Sequence, residues 1–358
     1  MNGERVTFAS LFVPPPVWRF QVARWETFDD CARALDLTAG ELGWFADARS
    51  WNRRAPGPLR HYSYRWIPTA TGGIRLLERP KPRLAELQRR IGRHVLEALP
   101  VHEAAHGFRR GRSAMTCAAP HAGRELVVRM DLEGFFPTVS ARRVRSLLLL
   151  AGYGEAVAAA LAGMLTTATP PEVLANAPDG RRDSVRTRLL TSLAATHLPQ
   201  GAPSSPAVAN AVTHHLDRRL AGLAKALGAR YTRYADDLAF SGEADLPLHR
   251  LLPGVREIVR GEGFRVREAK TSIAAAHQRQ RVAGLVVNAS PAVARDNYDD
   301  LRALLHNCAR TGPEAQNREG HPDFRAHLLG RIGWAGASSP ARANRLRAQF
   351  DRISWQAP

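Results

Sequence analysis

Cysteine and lysine are the scarce residues of this 358-residue chain. Its three cysteines, Cys31, Cys117 and Cys308, are odd in number, far apart and without C-x-x-C spacing, which excludes a disulfide framework and a cysteine-based zinc site. A reducing, cytoplasmic setting is expected. Lysine occurs only at Lys81, Lys225 and Lys270 although Lys and Arg together number 51, so arginine carries the basic character and each lysine kept asks for a reason. No apolar run suits a bilayer span. The most membrane-like stretch, LLLLAGYGEAVAAALAGML at 147–165, contains Glu155 and three glycines and reads as two buried helix segments. The N-terminal LFVPPPVW is short and broken by Pro14, Pro15 and Pro16, so no secretory leader is expected either. No long tract is poor enough in Val, Leu, Ile and Phe to read as disordered.

Positive charge is in excess. Against the 51 basic residues stand 33 acidic ones, a formal charge of +18 that attracts polyanions from a distance and makes nucleic acid the leading partner. Nonspecific association with cellular polyanions is the plainer alternative at this stage. By length the chain suggests two or three compact units, with no internal repeat and no low-complexity tract.

Local patterns predict mixed helix and strand. Residues 27–50 read as helical, with TAGE at 38–41 a capping box. HYSYRWI and GGIRLLERP read as a hairpin joined through Gly72 and Gly73. Leu84, Leu87, Ile91, Val95 and Leu96 predict a helix over 82–98. RELVVRMDLEGFFPTVS at 124–140 opens as an apolar strand ending at Asp131, and helical spacing resumes over 141–165. Residues 166–190, with Pro170, Pro171, Pro178 and Gly180, read as an irregular excursion. LPQGAPSSPAVANAVTHHLDRRLAGLAKAL reads as a glycine-bearing loop feeding a long helix, and helix and charge dominate 291–358.

YTRYADDLAFSG at 231–242 reads as strand, two-residue bend, strand, with Asp236 and Asp237 at the tip. An Asp pair in a bend is by itself equally an ordinary solvated turn. Asp131, ending a second apolar strand, changes the reading, because three converging carboxylates repel unless a cation neutralises them. Hard oxygen ligands suit Mg²⁺, and two such ions support in-line displacement at phosphorus.

YADD in a hairpin, DLEGFF after an apolar strand and LPQGAPSSP before a helix, in that order, resemble the motifs of reverse transcriptases. The resemblance extends through AHGFRRGRS upstream and AKTSI and VAGLVVN downstream, covering most of residues 60–290. It implies an α+β fold of right-hand polymerase architecture: fingers, a palm whose antiparallel sheet carries the catalytic carboxylates, and a helical thumb. The implied divisions are an N-terminal helical extension at 1–60, fingers at 61–125, the first palm strand at 126–140, helices and an irregular insertion at 141–199, palm at 200–290 and a basic helical thumb at 291–358.

The resemblance also implies roles. Asp131, Asp236 and Asp237 would hold two Mg²⁺ ions, and Lys270 would stand near the leaving pyrophosphate, where a lysine donates a proton as an arginine cannot. The main chain at Leu132 would lie near the nucleotide phosphates. Phe136 would be the steric gate that excludes a 2′-hydroxyl, simple core packing being its alternative. Gln200 and Gly201 would lie against the incoming dNTP. Arg75 would grip the triphosphate, an exposed strand charge being its alternative. Arg109 and Arg112 would contact template phosphates, and Gly284 and Leu285 the primer.

Several details resemble the retron branch. Its enzymes usually carry N-A-x-x-H before the first catalytic strand and V-T-G near the primer grip; here these places read CAAPH, Cys117 to His121, and VAG, Val282 to Gly284. Cys117 and Ala283 are expected to remove hydrogen-bonding side chains. The branch implies a structured non-coding RNA partner, an RNA–DNA duplex, a single-stranded DNA product, anti-phage defence and an effector protein, with no membrane. Tyr298, Phe324 and Trp334 read as base-stacking rings or as helical core. Other bacterial reverse transcriptases (abortive-infection, diversity-generating or intron-type) and a catalytically idle RNA-binding scaffold are the alternatives. HEAAH at 102–106 fits a zinc-protease pattern, but Pro100 and Gly107 deny it the continuous helix that pattern needs.

Overall fold

A computed structural model describes residues 17–69, 72–179 and 183–355. Pro14 to Pro16 and Gly180 lie outside the described residues. The chain forms two compact units, one built from residues up to 100 together with Phe136–Val212, the other from Val101–Phe135 together with residues from 213 onward.

In the first unit the 27–50 region is two short helices, Phe28–Ala34 and Ala39–Phe45. Each opens with a capping box, Thr27 with Asp30 and Thr38 with Glu41, so both helix starts have their exposed N–H groups satisfied. Strands β1 (Tyr62–Pro68) and β2 (Ile74–Pro80) form the expected antiparallel hairpin. The helix over 82–98 runs only from Pro82 to His94, because Val95 leaves helical geometry at φ −124° and a 3₁₀ turn follows. The stretch 147–165 is indeed two helices, Ala141–Ala151 and Glu155–Leu165, separated at Gly152 with φ 115°. Glu155 opens the second helix, where its charge suits the N-terminus. The excursion at 166–190 is more ordered than its prolines suggest: Pro171–Ala175 is helical with Pro171 in its first turn, and Ser184–Ala194 is a helix capped by Asp183.

Strand β2 is fastened to the LPQG loop within this unit. Glu78, fully buried, accepts hydrogen bonds from Thr169 Oγ1 at 2.8 Å and His197 Nε2 at 2.7 Å, and its N–H donates to Gln200 O at 2.8 Å. Burial alone would lower the His197 pKa, but the adjoining Glu78 carboxylate more than offsets this and holds it above its ordinary value.

In the second unit a four-stranded antiparallel sheet has the order β4 (Arg230–Tyr234), β5 (Asp237–Gly242), β3 (Leu126–Asp131), β6 (Ser272–Ala275). Val127, Val128, Met130, Leu238 and Phe240 are buried, which places the central strands in the core. The long helix expected after LPQGAPSSP is two helices, Ser205–Val212 and His214–Ala226; Thr213, at φ −88° and ψ 4°, breaks it and also marks the boundary between the units.

The CAAPH element is a fastener of this sheet. His121 is fully buried, with Nδ1 2.7 Å from Ser241 Oγ on β5 and Nε2 2.8 Å from Thr232 Oγ1 on β4. Thr232 gives its proton to Cys117 O at 3.1 Å, so Nε2 carries the ring proton and Nδ1 accepts from Ser241. Burial pushes the His121 pKa down to about 4, consistent with a neutral ring. Cys117 does not forfeit hydrogen bonding as expected: its Sγ lies 3.1 Å from Thr232 Oγ1.

VAG forms a two-residue hairpin turn, Val282 pairing with Leu285 while Ala283 and Gly284 take φ 48° and 81°. Both positive angles suit the right-handed twist of a tight hairpin, and a β-branched residue at position 283 would be more strained than alanine. Beyond it, helices Arg295–Thr311, Phe324–Gly336 and Pro340–Phe350 share a core of Leu301, Leu305, Leu328, Ile332, Leu346 and Phe350. Tyr298 and Phe324 pack against this core, whereas Trp334 remains 40% exposed.

Candidate active site

The register of the sheet brings the three aspartates together. Asp131, the last residue of β3, pairs directly with Asp237, the first residue of β5. Asp236 lies in the two-residue turn between β4 and β5, and its carbonyl accepts the Leu132 N–H at 2.9 Å. The three aspartates thus lie at one end of the sheet, Asp131 and Asp237 held by ladder pairing and Asp236 by the Leu132 N–H on its carbonyl.

Cationic side chains surround them. Lys270 Nζ donates to Asp131 Oδ2 at 2.8 Å, and Arg267 Nε lies 3.5 Å from Oδ1. The Arg267 N–H donates to Asp131 O at 2.7 Å, which draws the AKTSI segment against the strand end. Arg129 approaches Asp237 at 3.7 Å. Burial, then the neighbouring Asp131 and Asp237 charges, push the Asp236 carboxyl up to about 6. Burial raises Asp237 as well, with Arg129 opposing and Asp131 adding to it.

The donor set fits a divalent cation. Asp131 is 3% exposed, and its Oδ1 makes no hydrogen bond, the Arg267 Nε 3.5 Å away being an ion-pair contact only, so its hydrogen-bonding capacity is unmet at a cost in free energy. The raised carboxyl pKa values express the same unmet need. The fit is one of donor chemistry: among the described residues no three His, Cys, Asp or Glu side chains stand close enough together to hold a metal ion, and Lys270 and Arg267 supply the positive charge at Asp131.

The turn has a support that sequence reading missed. Ala235, the first turn residue, has φ 56°, a conformation uncommon outside glycine. Beneath it Arg233 is completely buried and joined to Asp217 through Nε–Oδ1 at 2.8 Å and Nη2–Oδ2 at 2.7 Å. HEAAH belongs to this support and not to a zinc site: residues 102–106 form a turn and a bridge to β4, with His106 N donating to Arg233 O at 2.8 Å.

Of the other expected site residues in this unit, Arg112 is exposed, and Arg109 is half-buried with Nη1 donating to His102 O at 3.2 Å. Leu132 has a buried side chain and its N–H is committed to Asp236. Leu285 is fully buried in a core cluster with Cys117 and Val127, so any outward contact at this turn falls to Gly284 and the backbone.

Arg75, Phe136, Gln200 and Gly201 belong to the first unit. Arg75 is exposed on β2, opposite Ile67. Of the two phenylalanines in DLEGFF, Phe135 is the core ring, at 4% exposure, while Phe136 stays half-buried. Gly201 has φ 125°, and a β-carbon there would stand 2.8 Å from Leu77 Cδ1 and 3.2 Å from Glu78 O. Its bareness is required by the approach of the LPQG loop to β2.

Comparison with known proteins gives the class first. Residues 67–287 match the family model described as reverse transcriptase (RNA-dependent DNA polymerase). The chain is 41% identical to the retron Mx65 reverse transcriptase of Myxococcus xanthus over 333 residues, which are 92% of this chain and 72% of that protein. It is 40% identical to the retron Mx162 reverse transcriptase of the same organism over 339 residues, 90% of this chain and 66% of that one. The retron Ec86 reverse transcriptase of Escherichia coli is 29% identical over 235 residues, 65% of each chain. The chain belongs to the retron-type reverse transcriptases.

Proposed function

We propose that this enzyme copies a structured non-coding RNA partner into single-stranded DNA by two-metal phosphoryl transfer, in a retron that serves anti-phage defence alongside an effector protein. The observation that carries the chemical part is the meeting of Asp131, Asp236 and Asp237 at one sheet end beside Lys270. In this reading the sheet of the second unit is the palm, the hairpin β1–β2 belongs to the fingers and the three helices after 291 are the thumb.

Asp131, Asp236 and Asp237 would hold two Mg²⁺ ions, which when bound would supply activation of the attacking hydroxyl and stabilisation of the oxygen that leaves phosphorus. Lys270 donates a proton to the leaving pyrophosphate, which its ammonium group can do and the surrounding guanidinium groups cannot. Phe136 excludes a 2′-hydroxyl on the incoming nucleotide, Gln200 and Gly201 form the surface beside it, and Arg75 binds its triphosphate. Exposed Arg112, with Arg109 behind it, contacts template phosphates, and the Ala283–Gly284 turn approaches the primer backbone.

Replacement of Asp236 by asparagine is expected to abolish dNTP incorporation in a primer-extension assay while RNA binding in a gel-shift assay stays within about two-fold of the parent. Full-rate synthesis by that variant would refute the assignment. Sequencing nucleic acid that copurifies with the protein tests the retron part separately: a covalently branched RNA–DNA species supports it, and a random population of cellular RNA counts against it.

A further inference from the structure

We infer that Arg233, clamped by Asp217, is a positioning residue for catalysis, holding the turn that carries Asp236 and Asp237 in the conformation that lets them act with Asp131. The inference rests on the proposed role of the three aspartates in holding metal ions.

A buried arginine–aspartate pair is weak evidence of stabilisation, because the cost of removing both charges from water rivals their attraction. Its presence at full burial therefore calls for a geometric reason. Bidentate pairing uses Nε and Nη2, and Nη1 donates to Ala235 O at 2.9 Å. Ala235 is the positive-φ residue of the turn and is followed at once by Asp236 and Asp237. Without an external hold, an alanine at φ 56° would tend to relax toward negative φ and turn the next carboxylates away.

The clamp is itself immobilised. Tyr231 Oη donates to Asp217 Oδ1 at 2.8 Å, fixing the carboxylate from the same strand. The Arg233 backbone is held on both sides, its N–H donating to Ala104 O at 2.7 Å and its carbonyl accepting from His106 N at 2.8 Å. Gly107 then packs so tightly that a β-carbon there would stand 2.6 Å from the Ala235 nitrogen. The guanidinium also lies 5.9 Å from the centre of the Phe135 ring, four residues beyond Asp131. One side chain thus touches both segments that bear catalytic carboxylates, the β4–β5 turn and the stretch leaving β3.

The decisive variant is Arg233→Lys. Lysine keeps a positive charge against Asp217 but cannot make the two-pronged contact and reach Ala235 O together. Folded R233K is expected to bind primer–template normally, to lose about 10- to 100-fold in kcat, and to need several-fold more Mg²⁺ for half-maximal rate, with KM for dNTP little changed. Ala235→Gly in the R233K background is expected to restore part of kcat, since glycine takes positive φ without support. A folded R233K with parental kcat and Mg²⁺ requirement would overturn the inference, as would loss of activity that R233K/A235G leaves unrelieved. Should R233K fail to fold, Tyr231→Phe carries the same readout at smaller amplitude: a raised Mg²⁺ requirement supports the inference and an unchanged one overturns it. Asp236→Asn is assayed in parallel. An active D236N would remove the metal-holding premise, whereas an inactive D236N beside an unaffected R233K would remove the positioning role alone.

Discussion

Adjacent phenylalanines in DLEGFF have different surroundings, and the difference bears on substrate choice. Phe135 packs at a tilt against Phe264, with ring centres 5.9 Å apart, inside the second unit. Phe136 opens the segment of the first unit that runs to Val212 and keeps part of its ring accessible. Under the proposed gate role, Phe136→Ala removes the bulk that collides with a ribose 2′-hydroxyl. Its expected effect is a rise of at least about ten-fold in ribonucleotide relative to deoxynucleotide incorporation, measured as a ratio of kcat/KM values. An unchanged ratio would return Phe136 to simple packing. The carboxylates were legible in the sequence because strand ends and tight turns have local signatures. Arg233 was not, because nothing in YTRYADD distinguishes a solvated arginine from one buried against Asp217, 16 residues earlier.

Histidines that tie elements together give the two units opposite responses to acid. His121 joins the Ala119–His121 turn to β4 and β5 as a neutral ring, and burial lowers both it and His106 to about 4. Each takes up a proton more readily when unfolded, so its contribution is complete above about pH 6.5 and is lost as pH falls toward 4; for the more deeply buried His121 the shift is worth about 3 kcal/mol. His197 beside Glu78 is raised instead: its contribution is complete below pH 6.5 and is lost as pH climbs through its higher folded value. Hydrogen exchange between pH 7 and 4.5 is therefore expected to show β4 and β5 losing protection before β2, and His121→Gln to flatten that acid response. Equal loss in both would refute the assignment. At this scale the hairpins and the Thr38 capping box were readable, since each is decided within a few residues. The break at Thr213 and the helix Ser184–Ala194 were not. The first interrupts an unbroken apolar pattern, and the second follows prolines that end one helix without forbidding another.

The whole chain carries +18 charges, and its proposed partner is a polyanion. Binding of RNA is expected to weaken steeply with salt, and exposed Arg112→Ala to reduce the slope of log K against log[salt] by about one while affecting unrelated RNA sequences alike. A salt slope unchanged by the substitution would remove Arg112 from the phosphate contacts. Composition pointed to a polyanionic partner at once, but charge carries no information on which RNA such a partner would be. Among the described residues, no helix is long and apolar enough to cross a membrane, as the glycine-broken 147–165 stretch implied.

Lysine is so rare here that side-chain amines become chemical landmarks. Lys225 is exposed, Lys81 donates to the Gly57 and Pro58 carbonyls, and Lys270 is tied to Asp131. An acylating reagent therefore meets one open side-chain amine, one occupied by backbone carbonyls and one that reports on the aspartate cluster itself. Loosening of the Asp131 pair would free Lys270 for labelling, so mass spectrometry of a single peptide can follow the state of the aspartate cluster without any engineered probe.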